Sequence, residues 1–126
     1  MQKQEPKKIV AAVSDLFFTV KISDAAKRAG MEVEFVKDTK TLLEKASSRP
    51  ALIIFDLNFE GIQPLKAIGK LKANVELKGV SVIGFLSHVQ GELKQKAQDA
   101  GCDMVMARSA FSQNLPQILK RHSGAL

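Results

Sequence analysis

The chain has 126 residues, a length that favours one domain with its own hydrophobic core. Hydrophobic residues make up 45% and charged residues 25%, which are ordinary values for a globular protein. No apolar stretch approaches the roughly 20 residues that span a bilayer, and residues 1–8 lack the apolar middle of a signal peptide. We therefore expect a cytoplasmic protein with no membrane partner.

Charge and cysteine content limit the kinds of site and partner that the chain can have. A single cysteine, Cys102, excludes an internal disulfide and a cysteine-based zinc site. Trp and Tyr are absent, which disfavours a stacking platform for single-stranded nucleic acid. The net charge of +6 favours an acidic partner, but the lysines are spread over several predicted helices. We interpret them as solvated helix faces and do not expect nucleic acid as a partner.

Short apolar runs alternate with helical patterns along the whole chain. In chain order, we predict a strand over 8–13, a helix over 16–29, a strand over 32–36, a helix over 39–47, a strand over 51–55, a helix over 62–73, a strand over 80–85, a helix over 90–100, a strand over 104–107 and a helix over 112–121. Strands that alternate with helices imply right-handed crossovers and a parallel sheet covered on both faces.

Several single residues support these boundaries. Gly30 is a natural stop for the first helix, and Asp38 or Thr39 is a plausible N-cap for the second. Pro64 falls in the first turn of the third helix, where a missing N–H is tolerated. In the first helix the apolar residues that recur near helical spacing are Leu16, Val20, Ile22, Ala26 and Ala29.

Asp56 is the most informative single residue. It directly follows the five apolar residues of 51–55, a run that reads as a strand buried on both faces. In an open parallel sheet, ligands and chemistry lie just beyond the carboxyl ends of the strands. Asp56 is therefore predicted to lie in the functional crevice.

From about Lys8 to Arg121, the chain resembles the receiver domains of bacterial two-component response regulators. The resemblance rests on the run that ends in Asp56-Leu57-Asn58, with Gly61 after it, and on a turn over 97–103 similar to the Ala-Gly-Ala-Asp turn of receivers. It implies an α/β, flavodoxin-like, doubly wound sheet of five parallel strands in the order 2-1-3-4-5 with five helices. One domain over 8–122 would lie between a disordered or extended basic tail, 1–7, and a C-terminal tail, 123–126. Asp56 would be the phosphoacceptor candidate.

The acidic pair with which a receiver helps to bind magnesium is missing. Its positions correspond most simply to Val13 and Ser14, and Asp15 lies one step further on. We interpret Asp15 chiefly as the N-cap of the first helix, although a shifted loop would bring it into the pocket. No metal site or other cofactor is expected; weak Mg²⁺ binding would draw on Asp15, Asp56 and the Asn58 carbonyl.

The fourth strand of a receiver ends in a hydroxyl residue that binds the phosphoryl group. Counting back from Gly101 without gaps places Leu86 at that position, whereas a shift of one residue places Ser87 there. Both alternatives stay open. His88 follows at the same edge and is either a pocket residue or a solvent-facing loop residue.

A receiver ends its fifth strand with Lys-Pro and a cis peptide bond, whereas this chain has Arg108-Ser109-Ala110-Phe111. We predict an all-trans loop over 108–111, because a cis bond without proline costs about 3 kcal/mol. Arg108 would either bind an oxyanion or pair directly and permanently with Asp56.

We therefore expect a stand-alone atypical receiver, or pseudo-receiver, that is not an enzyme and signals or scaffolds through protein contacts as a monomer or weak dimer. Its partner would be a histidine kinase or an acidic signalling protein. The contact face implied by the resemblance comprises Leu93, Lys94, Val105, Ser112, Gln113, Leu115 and Gln117. The alternative is a working receiver phosphorylated on Asp56 in a two-component phosphorelay.

Overall fold

The computed structural model describes residues 7–87 and 91–124, which alternate between strands and helices. The strands are β1 (Lys8–Ala12), β2 (Glu32–Phe35), β3 (Leu52–Asp56), β4 (Ser81–Leu86) and β5 (Met104–Ala107). The helices are α1 (Leu16–Arg28), α2 (Thr39–Ala46), α3 (Pro64–Ala73), α4 (Gly91–Ala100) and α5 (Arg108–His122), with a short 3₁₀ turn at Glu60–Ile62. All five predicted strands are present within two residues of their predicted bounds.

All strand pairs are parallel, and the order across the sheet is β2-β1-β3-β4-β5. The predicted doubly wound, flavodoxin-like architecture is confirmed. β3 is the central strand, and Asp56 at its carboxyl end is in register with Phe85 of β4. The order also changes direction between β1 and β3, where ligands bind in open α/β sheets. Asp56 therefore lies at the point in the fold where a site is expected.

Two hydrophobic layers cover the sheet. Ile53 and Phe55 of β3 pack on the layer that α2, α3 and α4 cover, whereas Leu52 and Ile54 pack on the layer that α1 and α5 cover. Because side chains alternate along a strand, a central strand buried on both faces must be apolar at every position. This is why the run before Asp56 was recognisable in the sequence.

Aspartate side chains cap the first two helices. Asp15 Oδ1 accepts a hydrogen bond from the Phe18 N–H at 3.1 Å, and Asp38 Oδ1 accepts one from the Thr41 N–H at 2.7 Å. Each bond satisfies a backbone donor that the helix leaves without a partner. Both predicted N-caps are confirmed, and of the two alternatives for α2 the cap is Asp38.

The apolar residues that recur near helical spacing in α1 are not all buried. Ile22 and Ala26 are buried, but Leu16 and Val20 are 76% and 60% exposed. The buried side chains of this helix are Phe18, Ile22, Ala25 and Ala26. Apolar residues surround the first turns of α1, so their spacing alone does not determine which side faces the sheet.

The predicted loop over 108–111 is wrong. These residues form the first turn of α5, which begins at Arg108, four residues before the predicted start at position 112. Phe111 is fully buried there. Within the described residues every peptide bond is trans, as expected for this segment. The predicted helix over 62–73 divides at Gln63, whose φ of 47° ends the 3₁₀ turn before Pro64 opens α3.

Cys102 lies in the turn before β5 and is buried. Burial raises the pKa of its thiol to about 11, so the group stays protonated at neutral pH. Both observations indicate an apolar, unreactive role for this residue. Among residues 7–87 and 91–124, no helix is long and apolar enough to cross a membrane. The predicted tails lie outside the described residues at positions 1–6 and 125–126, and so do position 90 of the fourth predicted helix and His88.

Candidate functional site

Asp56 is held at the carboxyl edge of the sheet by its own loop. Its side chain is only 6% exposed, and its Oδ1 accepts a hydrogen bond from the Asn58 N–H at 2.9 Å. The N–H of Leu57 donates to the Phe85 carbonyl at 2.8 Å, and the Leu57 side chain packs over Gly84 so closely that a Cβ there would lie 2.9 Å from it. The loop is therefore attached to β4 directly after Asp56.

Asn58 joins this loop to the end of β4. Its Oδ1 accepts a hydrogen bond from the Ser87 N–H at 2.8 Å. Leu86 packs in the layer covered by α2, α3 and α4, on the sheet face opposite Asp56. By strand alternation, Ser87 follows on the same face as Asp56. Of the two candidates for the hydroxyl position, the geometry therefore favours Ser87.

Arg108 pairs with Asp15 and not with Asp56, which corrects the direct pair that the sequence suggested. Arg108 Nη2 lies 2.7 Å from Asp15 Oδ2, and each side chain is about one-third exposed. The carboxylate of Asp15 thus accepts from two donors, because its other oxygen accepts the hydrogen bond from the Phe18 N–H that caps α1. Asp15 is both the N-cap that we preferred and a pocket residue, so the two interpretations hold together.

An aromatic column supports the guanidinium of Arg108. Its central carbon lies 4.8 Å from the centroid of the Phe18 ring. Phe18 stacks on Phe85 at 4.7 Å between centroids, and Phe85 stacks on Phe111 at 4.6 Å. A planar guanidinium over an aromatic face gains cation–π attraction, so Phe18 and Asp15 hold Arg108 from two sides. Sequence reasoning missed this contact between Arg108 and the aromatic column, because no local sequence pattern links an Arg and a Phe that are ninety positions apart.

The two carboxylates at this edge have opposite electrostatic environments. Burial raises the pKa of Asp56, opposed by the Asn58 N–H and the Arg108 charge, while the negative charge of Asp15 raises it further. The hydrogen bond from the Phe18 N–H lowers the pKa of Asp15 against partial burial, and Arg108 lowers it further. The pKa of Asp56 therefore responds to both members of the ion pair, which places Asp15, Arg108 and Asp56 in one electrostatic unit.

The resemblance to receiver domains implies a magnesium ion at this edge, and the residues present do not fit one. Mg²⁺ needs several oxygen ligands in near-octahedral geometry. Both oxygens of Asp15 are engaged, one by a backbone N–H and one by Arg108. Within the described part of the chain, no three His, Cys, Asp or Glu side chains come together as potential metal ligands. The guanidinium is already bonded to a carboxylate that a metal would need.

The contact face suggested by the resemblance is only partly at the surface. Leu115 is fully buried and Val105 is 8% exposed, so both belong to the core and cannot form a contact surface. Lys94, Gln113 and Gln117 are exposed, and Leu93 and Ser112 are half-buried. A protein contact through these five residues stays a prediction. His88 lies outside the described residues, so its proposed place in the pocket stays a prediction as well.

We expect Asp56→Asn to stabilise the chain at pH 7 by on the order of 1 kcal/mol, the ordinary scale of a single substitution. The amide keeps an acceptor for the Asn58 N–H and removes a buried charge. Folding raises the pKa of Asp56, so the ionised carboxylate destabilises the folded chain at pH values above that raised pKa. This destabilisation disappears as the pH falls toward the ordinary pKa of an aspartate. Urea melts of both chains between pH 7 and 4 should therefore converge at the acid end. A difference that does not change with pH would contradict the burial argument.

Comparison with known proteins shows the fold. No protein-family model matches the sequence, and none of the curated proteins does. Among solved structures, a response regulator from Hahella chejuensis has a TM-score of 0.82 at 15% identity, with 94% of this chain and 96% of that one covered. The Vibrio cholerae chemotaxis response regulator CheY4 has a TM-score of 0.78 at 21% identity, covering 92% and 98%. The phosphorylated cyanobacterial phytochrome response regulator RcpA has 0.75 at 22%, covering 91% and 89%.

Proposed function

We propose that this chain, which has the fold of response regulator receiver domains, is an atypical receiver that signals through protein contacts and does not use Mg²⁺-dependent phosphorylation. Its role would be that of a binding module and not of an enzyme. Its partner would be a protein, either a histidine kinase or an acidic signalling protein, given the net charge of +6.

The ion pair between Arg108 and Asp15 is the observation that carries this proposal. Phosphoryl transfer to a carboxylate requires positive charge that neutralises the transferred group and is free to engage it. Here Arg108, the cation whose charge lowers the pKa of Asp56, is bonded to Asp15 at 2.7 Å and rests on the ring of Phe18. The carboxylate that would hold a metal is engaged by the same bond. The site has the position and the aspartate of a phosphoacceptor, but its guanidinium is already paired with Asp15.

The second candidate is a working phosphoacceptor, and three observations favour it. Asp56 is retained at the carboxyl end of the central strand, Arg108 lies near enough to affect its pKa, and Ser87 follows on its face. One solved structure with this fold is that of a phosphorylated response regulator. If Arg108 left Asp15, its guanidinium would suit a phosphoryl group on Asp56. Phosphorylation of Asp56 would therefore require that the ion pair between Arg108 and Asp15 break and that Arg108 leave the ring of Phe18.

Intact mass after incubation with acetyl phosphate and Mg²⁺ distinguishes the two. We expect no phosphoryl group on the native chain under conditions that fully label an ordinary receiver run in parallel. Asp56→Asn is the matched control, because it keeps the loop geometry and removes the acceptor. A gain of one phosphoryl group by the native chain, absent in Asp56→Asn, would overturn the proposed function in favour of the phosphorelay.

A further inference from the structure

A groove of about 520 Å³ runs between α1 and α5, on the sheet face that also carries Arg108. Its apolar surface is formed by Ala29 from the α1 side and by Pro116 from α5, and the buried side chains of Ala25 and Leu115 lie beneath them. Ser112 and Ser123 complete it along α5. None of these residues belongs to the pocket around Asp56, so this groove is a separate feature of the surface.

Cationic side chains line both sides of the groove. Lys21 and Arg28 stand on α1, and Lys120 stands on α5. The single carboxylate in the lining, Asp24, is paired with Arg28 at 3.1 Å. Among the described residues, neither Lys21 nor Lys120 has an ion-pair partner. The groove therefore has an apolar centre with unneutralised positive charge on both flanks.

The basic character continues beyond the groove. Lys27 and Arg121 lie in the last turns of α1 and α5 and are exposed. Lys7 also reaches this end, since its Cε is 3.4 Å from where a Cβ on Gly124 would lie. Basic residues at helix carboxyl ends are ordinary in themselves, because they complement the helix dipole. The groove therefore lies in a part of the surface that is basic beyond its own lining.

An exposed aromatic ring extends the groove along α1. Phe17 is 64% exposed, and the ammonium of Lys21 lies 5.9 Å from its centroid. Phe17, Lys21, Asp24 and Arg28 follow one another at spacings of four, three and four residues, so they form one line along the helix. The occupant of the groove would meet an apolar anchor at one end of this line and positive charge along the rest.

We propose that the α1–α5 groove docks an acidic amphipathic helix of a partner protein. An apolar stripe on such a helix would fill the centre, and carboxylates on either side of the stripe would face Lys21 and Lys120. A second copy of this chain is disfavoured, because its own α1–α5 surface carries the same positive charge. This proposal specifies the chemistry of the partner of the proposed binding module. It rests on the proposed function in one respect, the assumption that the partner is a protein.

The test uses a synthetic helical peptide of about 14 residues, or roughly four turns, with leucines and one tryptophan on a stripe flanked by glutamates. The chain has no Trp, so the peptide's emission reports binding without background. We expect a blue shift on binding, loss of affinity with added salt, and amide NMR shifts confined to α1 and α5, including Ala25 and Leu115. A scrambled peptide of the same composition, which lacks the stripe, should bind at least roughly ten-fold more weakly.

Two charge-reversed variants locate the site. Lys21→Glu/Lys120→Glu should weaken binding about ten-fold relative to Lys66→Glu/Lys70→Glu, which has the same net charge but is altered at two exposed lysines of α3, across the sheet. Thermal melts establish that both variants are folded. Equal losses in the two variants, NMR shifts outside α1 and α5, or equal binding of the scrambled peptide would each overturn the proposal. Binding of the small apolar anion anilinonaphthalene sulfonate in the groove, with none of the peptide, would overturn it in favour of a small-molecule site.

This outcome is separable from that of the phosphorylation experiment. The peptide contacts no residue of the Asp56 loop, so Asp56→Asn should bind it as tightly as the native chain does. A chain that accepts a phosphoryl group and still binds the peptide would refute the proposed function and support the groove. A chain that does neither would refute the groove alone.

Discussion

Arg108→Ala should bind Mg²⁺ more tightly than the native chain does. In the native chain the guanidinium holds one oxygen of Asp15 and lowers the pKa of Asp56 through space. Its removal leaves two carboxylates at one edge of the sheet with no cation between them, an arrangement that favours a divalent metal. We expect roughly ten-fold tighter Mg²⁺ binding than in the native chain, or about 1.4 kcal/mol. An NMR titration measures the affinity, and the rise of the melting temperature with Mg²⁺ concentration gives a second measurement.

Two control variants make this result specific. Arg121→Ala removes the same charge from the exposed last turn of α5 and should leave Mg²⁺ binding unchanged. Arg108→Ala/Asp15→Asn should lose the gain, because the amide can still cap α1 but no longer supplies a carboxylate. If native chain and Arg108→Ala respond equally to Mg²⁺, the guanidinium does not oppose the metal, and the central argument for an atypical receiver fails.

Phe85→Ala should cost about 3–5 kcal/mol of the free energy of unfolding, the usual range for removing a buried phenyl ring. Phe85 is fully buried, lies in register with Asp56, and stacks between Phe18 and Phe111. Its loss opens a cavity beneath the site and removes the ring on which Phe18, the support of Arg108, is stacked. Urea unfolding followed by far-UV circular dichroism measures the change, since the chain has no Trp or Tyr.

A whole domain is stable by only about 5–15 kcal/mol, so Phe85→Ala risks unfolding, and Phe85→Leu provides a milder variant. We expect it to lose roughly 1–3 kcal/mol, because leucine refills part of the volume. The matched control is Phe17→Ala, whose ring is 64% exposed and should change stability by no more than about 0.5 kcal/mol. A loss in Phe85→Leu no larger than that in Phe17→Ala would show that the column does not support the fold.

Local physical rules account for what the sequence predicted correctly. A central parallel strand is covered on both faces, so its apolar run and the position of Asp56 after it were visible in consecutive residues. The caps at Asp15 and Asp38 are contacts between residues three apart, and they too were predictable. Five strands separated by helices then determine a parallel doubly wound sheet through the handedness of the crossovers.

The sequence was least informative where the local pattern was ambiguous. Leu16 and Val20 share the first turns of α1 with Phe17 and Phe18, and a helix with apolar residues all round has no face that spacing alone can assign. The first turn of α5 was missed because Arg108-Ser109-Ala110 carries neither an apolar period nor a side-chain cap. In both cases tertiary packing determines the outcome, because Phe18 of α1 and Phe111 of α5 are buried against Phe85 of β4.

By itself the sequence determined the fold class, the strands and the place of Asp56, because each depends on neighbouring residues or on chain order. Only the tertiary structure decided what Asp56 lies beside. Asp15 and Arg108 are 93 positions apart, and they meet because β1 and β5 end at the same edge of the sheet while α1 and α5 cover the same face. Which carboxylate receives the guanidinium depends on distances and orientations across that edge, a property of packing that no pattern of adjacent residues encodes.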